Sequence, residues 1–251
     1  MTPTGLKELG WLLLCMLPFF FVQAKLHREL KLLFYLILRR DTSADLLFYI
    51  LFFPGILLHE TSHWLMAKFM RVPTGRFSVI PHHLPNGKLR LGYVETQKTD
   101  WFRDALIGAA PLITGCLITG GLAANLWHPQ GLLVVLGNGD LESFWNGFVG
   151  IYRGADFWIW FYLIFTISSM MLPSESDRSS WLPVILIFLG VMAILLVAGA
   201  GGWMQSNLLP FVNPFIIDLI LVFSVSLIVH VFLLLPVWVL RAGLERFVGY
   251  P

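Results

Sequence analysis

Charged residues are scarce in this chain of 251 amino acids: Lys, Arg, Asp and Glu together make up 13% of it. Hydrophobic residues make up 57%, and the mean hydropathy is +0.75. Soluble domains usually carry about 25% charged residues, so this composition excludes an ordinary soluble protein. The net charge of +2 and the absence of a basic stripe also exclude a nucleic-acid partner. Composition therefore predicts a multi-pass protein of the lipid bilayer.

Cysteine is scarce as well. Cys15 and Cys116 are the two cysteines of the chain, and each lies in an apolar stretch far from the other. This spacing excludes a disulfide framework and a C-x-x-C metal or redox site. We interpret both as small buried apolar residues. Polar stretches are also too short for a separate soluble regulatory domain.

Long apolar runs are what the chain has instead. About 20 apolar residues cross a bilayer as a helix, and we expect about six transmembrane helices, at residues 10–22, 46–70, 105–126, 157–172, 181–197 and 215–240. We expect the first run to be an uncleaved span rather than a signal peptide, because the residues before it are barely positive. Residues 25–40 mix basic residues with leucines, which predicts an amphipathic helix at the membrane interface.

The most polar region, residues 71–104, predicts a β-hairpin. Residues 76–80 can form a strand, Asn86 and Gly87 form a tight-turn signal, and apolar residues alternate between Leu89 and Tyr93. His82 and His83 also lie here. Neighbouring histidines point in different directions in an extended chain, so we expect a solvated pair rather than metal ligands.

These patterns predict an all-α polytopic membrane protein with a small β-hairpin element between the second and third spans. Three parts are expected along the chain. Residues 1–44 hold the first span and the interfacial segment, residues 45–178 hold a membrane core with the second to fourth spans and the β-hairpin, and residues 179–251 hold two additional spans.

One motif in the second span carries chemistry. His59, Glu60 and His63 form an H-E-x-x-H sequence inside an otherwise apolar run. Positions four apart share a helix face, so the two imidazoles can bind one metal ion, and Glu60 can take a proton from a water on that ion. Ionisable groups at membrane depth are costly and are usually functional. The motif predicts a zinc hydrolase in the bilayer.

A catalytic zinc commonly has a third protein ligand. The candidates in or beside apolar runs are Asp156, Asp177, Asp218 and His230. Spans two and four run in the same direction if the spans alternate, so Asp177, just after the fourth span, returns to the side of the motif, whereas Asp156 and Asp218 begin spans on the opposite side. We expect Asp177 to be the third ligand, and Asp218 and His230 stay open as alternatives.

The distribution of basic residues predicts the orientation. Lys and Arg are dense in the loop after the second span and are present at Arg178 and the C-terminus, which places these segments in the cytoplasm by the positive-inside rule. The metal motif then faces the cytoplasmic side of a plasma membrane, bacterial or archaeal. Under this scheme the basic segment at residues 25–40 would lie outside the cell if the first run crosses the membrane. The disagreement disappears if that segment lies flat on the membrane or if the first run does not span.

The motifs resemble those of the site-2 protease family of intramembrane zinc metalloproteases over residues 46–178. The segment from His59 to His63 matches the family's metal motif, residues 89–111 are similar to its G-Y-V and A-G-P segments, and residues 168–178 to its N-x-x-P and following aspartate. Ala110 stands in place of the family's glycine before Pro111, and Arg178 in place of the glycine after the aspartate. The resemblance implies peptide-bond hydrolysis in membrane-embedded substrates with Glu60 as general base.

Two other classes stay open. A non-proteolytic membrane protein would keep zinc as a structural or regulatory site, with His230 as a fourth ligand in place of water. A transporter or haem-anchoring protein would use His59, His63 and His230, but Glu60 would then have no chemical role.

Overall fold

The computed structural model describes residues 4–83, 89–90, 92–124 and 138–248, and most of these residues are helical. The helices are α1 (Thr4–Leu38), α2 (Asp41–Phe69), α3 (Trp101–Leu122), α4 (Leu141–Tyr152), α5 (Phe157–Met170), α6 (Trp181–Val197), α7 (Gly201–Trp203) and α8 (Leu209–Val248), with a π-helical turn at Met204–Leu208 joining the last two. Four strands lie between α2 and α3: β1 (Thr74–Ser78), β2 (His82–His83), β3 (Leu89–Arg90) and β4 (Tyr93–Thr96).

Four helical segments within the described ranges are long and apolar enough to cross a membrane: α1, α2, α3 and the continuous segment that ends with α8. Two further predicted spans correspond to the shorter apolar helices α5, with 14 residues, and α6, with 17 residues. At 1.5 Å per residue these are about 21 and 26 Å long, less than the hydrocarbon thickness of about 30 Å. The predicted count of about six spans is therefore not confirmed.

The helix α1 contains both the predicted first span and the predicted interfacial segment. Leu26 and Leu30 are buried in a core cluster with residues of α2, α5 and α8, and the nearby Glu29 carboxylate pairs with Arg241 of α8. The predicted interfacial segment is therefore continuous with the first span and does not form a separate helix. Its apolar face packs into the bundle, and its acidic residue finds a basic partner there.

Contacts between side chains set the directions of the helices around the site. Helix α2 runs antiparallel to α1, since Lys31 pairs with Asp45 while His27 contacts Phe52. Helix α5 runs parallel to α2, because Tyr162 bonds the Leu51 carbonyl near one end and the Met170 carbonyl contacts His59 near the other. The C-terminal end of α5 therefore lies beside the H-E-x-x-H motif.

The last helix changes the predicted topology. Ser224 of α8 contacts Cys15 of α1, and Arg241 pairs with Glu29, so α1 and α8 run parallel. Six alternating spans would make the first and last antiparallel. Helix α8 instead enters the bundle on the side where α5 ends, so the placement of Asp218 on the side opposite the motif is wrong. The C-terminal end of α8, with Arg241 and Arg246, lies at the opposite end of the bundle, so the placement of the basic C-terminus on the side of the motif is wrong as well.

A close approach between α2 and α5 depends on Gly55. A Cβ at this position would lie 2.1 Å from the carbonyl oxygen of Thr166, so any other residue would push the two helices apart. Pro54 precedes it and lacks the N–H that a regular helix requires. Nearby, the Tyr162 hydroxyl donates to the Leu51 carbonyl at 2.9 Å. These contacts fix the spacing of the two helices that carry the site.

The β element contains two antiparallel pairs. Strand β1 pairs with β4, and β2 pairs with β3, which agrees with a small β element between the second and third spans. The predicted turn at Asn86 and Gly87 lies outside the described residues, while His82 and His83 form β2. Helix α3 follows at Trp101, where the Asp100 carboxylate accepts the N–H groups of Phe102 and Arg103.

Candidate metal centre

The two histidines of the motif project from consecutive turns of α2 toward one point. His59 Nε2 and His63 Nε2 are 3.1 Å apart, and the ring centroids are 4.8 Å apart. Two tetrahedral zinc ligands at bond lengths of 2.0–2.1 Å are separated by about 3.3 Å. The imidazole pair therefore already has the spacing that one metal ion requires.

Backbone carbonyls determine which ring nitrogens face that point. His59 Nδ1 lies 2.7 Å from the Met170 carbonyl oxygen, and His63 Nδ1 lies 2.8 Å from that of Ile107. A carbonyl oxygen only accepts hydrogen bonds, so each neutral ring carries its proton on Nδ1 and leaves a lone pair on Nε2. Metal-binding histidines are commonly held in this way.

Asp177 completes a group of three. Its carboxylate oxygens lie 3.7 Å from His59 Nε2 and 3.4 Å from His63 Nε2, and one ligand atom from each residue lies within 4.8 Å of the others. Two imidazole lone pairs and a carboxylate that converge repel one another unless a cation lies between them. The arrangement fits a metal ion held by His59, His63 and Asp177.

The loop after α5 holds Asp177 in place. The Ser174 N–H and hydroxyl donate to Asp177 Oδ2 at 2.8 and 2.6 Å. A Cβ at Gly108 of α3 would lie 2.1 Å from the Asp177 carbonyl oxygen, so the glycine lets the loop lie directly on α3. Burial acts to raise the pKa of Asp177, whereas the hydrogen bonds from Ser174 stabilise the ionised carboxylate and act to lower that pKa.

Glu60 lies on the cavity wall next to the three ligands. The β element covers this part of α2 at Gly92, where a Cβ would lie 2.8 Å from Glu60 Cγ and 3.1 Å from Oε1. A side chain at position 92 would therefore displace the Glu60 carboxylate. The close contact between the loop and α2 leaves room for the glutamate only because residue 92 is glycine.

The cavity at this centre has a volume of about 720 Å³, within the range of about 300–1,000 Å³ typical of ligand sites. His59, Glu60, His63 and Asp177 line one part of it. Strand β4, the start of α3 and the serine-rich loop after α5 line the rest, through Tyr93, Val94, Thr96, Lys98, Asp104, Ser174, Ser176, Ser179 and Ser180. The cavity brings an extended backbone edge next to the candidate metal ligands.

The other candidate ligands lie elsewhere. His230 is fully buried, and its Nε2 and Nδ1 contact Ser169 Oγ at 2.8 Å and the Ser226 carbonyl at 2.7 Å. Asp218 and Asp156 are exposed. Among the described residues, the one group able to hold a metal consists of His59, His63 and Asp177.

Several supporting groups were not singled out from the sequence. The carbonyls of Met170 and Ile107 are backbone atoms that any residue would supply, so sequence carries no signal for them. Gly108 and Ser174 do leave weak signals, since a small residue permits helix contact and a serine three residues before an aspartate can bond to its carboxylate. Neither signal identifies the partner without the fold.

Comparisons with protein-family models, with curated proteins and with solved structures found no match to this chain. The function is therefore inferred from the residues of the chain and their geometry.

Proposed function

We propose that this protein is an intramembrane zinc metalloprotease that cleaves membrane-embedded polypeptides. The observation that carries the proposal is the convergence of His59 Nε2, His63 Nε2 and the Asp177 carboxylate in a cavity that Glu60 and the strand β4 also line. The resemblance of the motifs to site-2 proteases supports the same reaction.

The donor set favours zinc. Two imidazoles and one carboxylate form a ligand set known from catalytic zinc sites, in which water or substrate takes the fourth position. The opening of the centre into a large cavity supports a catalytic rather than a closed structural site. When bound, zinc would act as a Lewis acid on the scissile carbonyl and lower the pKa of a bound water.

Glu60 is the proposed general base. It follows the ligand His59 directly in α2 and lines the same cavity as all three ligands. Its carboxylate would accept a proton from the attacking water and deliver that proton to the leaving amine. His59 and His63 stay oriented through their Nδ1 contacts, and Asp177 through Ser174.

Strand β4 is the proposed binding edge for substrate. Among the described strands it pairs only with β1, and Tyr93, Val94 and Thr96 line the cavity. A transmembrane helix satisfies its own backbone hydrogen bonds, so it must unwind before hydrolysis. The unwound segment can pair with an exposed strand edge, which replaces the lost helical bonds and places the peptide beside the metal.

The metal centre is proposed to face the cytoplasm. The loop between α2 and α3 and the loop after α5 lie at the same end of the bundle, since both contact the motif. These loops carry Arg71, Arg76, Lys98 and Arg178 among other basic residues, and cytoplasmic loops are enriched in Lys and Arg.

Metal removal and restoration test this function. The purified protein is reconstituted in liposomes with a single-span reporter and assayed before chelation, after chelation and after zinc is added back. Cleavage should be lost on chelation and return with zinc, while a His59→Ala protein should bind no zinc and stay inactive. Cleavage that survives complete zinc removal, or a zinc-loaded protein that cleaves no reporter, would contradict the proposal.

A zinc-loaded protein that cleaves no reporter would favour the alternative, a zinc protein without proteolytic activity. That alternative predicts a fourth protein ligand, for which His230 was the candidate. Both ring nitrogens of His230 already contact serine groups away from the metal group. The geometry therefore supports the protease better.

A further inference from the structure

A second cavity adjoins the metal centre. It has a volume of about 450 Å³ and shares His59, Glu60 and Gly92 with the first cavity, so the two meet at the proposed general base. Its remaining walls come from α1, α2 and the end of α5, through Gln23, His27, Lys31, Phe48, Ile56, Ser169, Met170 and Leu172. A peptide lying along β4 and continuing past Gly92 would enter this second cavity.

Three polar residues of α1 line one wall. Gln23, His27 and Lys31 are spaced four residues apart, so they share a helix face. Two of them already have partners: Gln23 Nε2 donates to the Ser169 carbonyl at 2.6 Å, and Lys31 pairs with Asp45 at 3.6 Å. His27, which lies between them, has a ring nitrogen without a partner in the part of the chain that the structure describes.

His27 Nε2 is buried and has no hydrogen-bond partner among the described residues. The imidazole is held edge-on against two aromatic rings, with centroids 5.4 Å from Phe48 and 4.9 Å from Phe52. A buried polar atom without a partner is unfavourable, and native structures rarely keep one without a reason. A ligand group in the adjoining cavity would supply the missing hydrogen bond.

We propose that this cavity is a specificity subsite, and that His27 binds an uncharged hydrogen-bonding side chain, such as asparagine or glutamine, in the transmembrane segment of the substrate. This inference rests on the proposed protease function. Phe48, Ile56 and Leu172 would contact the apolar part of that side chain. The cationic group of this wall, Lys31, is already paired with Asp45, so it offers no uncompensated positive charge to an acidic side chain.

The proposed subsite would restrict the substrates to transmembrane segments that carry a polar residue. A polar residue inside a transmembrane segment is costly in lipid and is therefore rare there. In the proposed protease, this polar residue of the substrate would bind in the cavity beside Glu60 and so position the transmembrane segment for cleavage. Sites built to form a hydrogen bond discriminate strongly against substrates that lack the group.

A reporter set tests the subsite. One apolar transmembrane segment carries a single asparagine, or a leucine of similar size, at successive positions around the cleavage site, and kcat/KM is measured with the zinc-loaded protein in liposomes. The wild-type protein should prefer asparagine over leucine at one position by roughly tenfold or more. His27→Phe keeps an aromatic ring between Phe48 and Phe52 but removes the nitrogen, and should bring that ratio close to one.

His27→Gln supplies the matched variant. Its amide keeps a hydrogen-bonding group on the same face of α1, so part of the preference for asparagine should return, and zinc content should equal that of the wild type in both variants. Equal cleavage of every reporter by the wild type, or an unchanged ratio in His27→Phe, would overturn the subsite alone. Failure of the wild type to cleave any reporter would overturn the proposed function and the subsite with it.

Discussion

Glu60 is the residue that separates a hydrolase from a zinc-binding protein of the same fold. It lies beside the ligand His59 in sequence and on the wall of the same cavity, yet it is not a member of the metal-binding group. In the proposed mechanism, different side chains of one helix turn therefore bind the metal and transfer the proton.

Glu60→Gln should retain zinc and lose cleavage, because the amide keeps the size of the side chain but accepts no proton. The expected loss in kcat is at least about 100-fold, the usual contribution of a general base. Zinc content by elemental analysis and cleavage of a reporter are measured on the same preparation. Glu175→Gln, the same change at an exposed position of the loop that carries Asp177, should leave both values unchanged; equal cleavage by the Glu60→Gln protein would refute this role.

At the scale of residues, the sequence predicts the groups whose identity matters to chemistry. The spacing of His59 and His63 implies a shared helix face, and the place of Asp177 after an apolar run implies its return to the motif. The backbone carbonyls that orient the imidazoles carry no residue signature. Asp218 was assigned to the wrong side because that assignment depended on every apolar run crossing the membrane.

The contact between α3 and the loop after α5 positions Asp177, the proposed third ligand. Gly108 lies against the Asp177 carbonyl, and one face of α3 further along carries Gly115, where a Cβ would lie 2.3 Å from Met171 Cβ. Small residues seven positions apart therefore form a groove in which residues 171–177 lie. The proposed metal centre therefore depends on this packing as well as on its three candidate ligands.

Gly108→Ala should weaken zinc binding, because its Cβ would push the Asp177 backbone away from α3. Overpacking of this kind typically costs about 1–3 kcal/mol, which corresponds to roughly a fivefold to 150-fold increase in the Kd for zinc. The measurement is a competition titration with a zinc chelator. Gly190→Ala in α6, where a Cβ would meet nothing within 4 Å, is the control and should leave the Kd unchanged. An unchanged Kd in Gly108→Ala would show that the loop is not held by this contact.

At the scale of elements, periodicity and length predict α2, α3 and α5 to within a few residues, but not the extent of α1. The basic residues between positions 25 and 40 suggested a break between a span and a surface helix. In the structure, Glu29 of this segment pairs with Arg241, and its leucines face α2, α5 and α8. Pairing between distant helices is a property of the fold and is invisible to a local pattern.

The direction of α8 defines the topology of the whole molecule. It packs parallel to α1, and both helices contribute residues to the core formed with α2 and α5. Helix α6 does not share in this core: none of its residues is buried. The sequence predicted apolar character correctly for both segments, but hydropathy alone does not distinguish a helix that crosses from one that returns to the same side.

A cross-link tests the parallel arrangement. Ser224 Oγ lies 3.2 Å from Cys15 Sγ, so Ser224→Cys in a Cys116→Ala background should form a disulfide with Cys15 on mild oxidation. Alkylation followed by mass spectrometry measures the free thiols that are left. Ser206→Cys, at an exposed position before α8, should stay alkylatable. Failure of the Cys15 cross-link to form would contradict the packing of α8 against α1 on which this arrangement rests.

The central claim, that His59, His63 and Asp177 hold one metal ion, is tested most directly by zinc stoichiometry in two matched variants. Asp177→Asn and Asp218→Asn make the same change at two aspartates that were both candidates for the third ligand. The wild type and Asp218→Asn should retain about one zinc per chain, while Asp177→Asn should retain far less, because one of three protein ligands is lost. Zinc lost from Asp218→Asn and kept by Asp177→Asn would contradict the account.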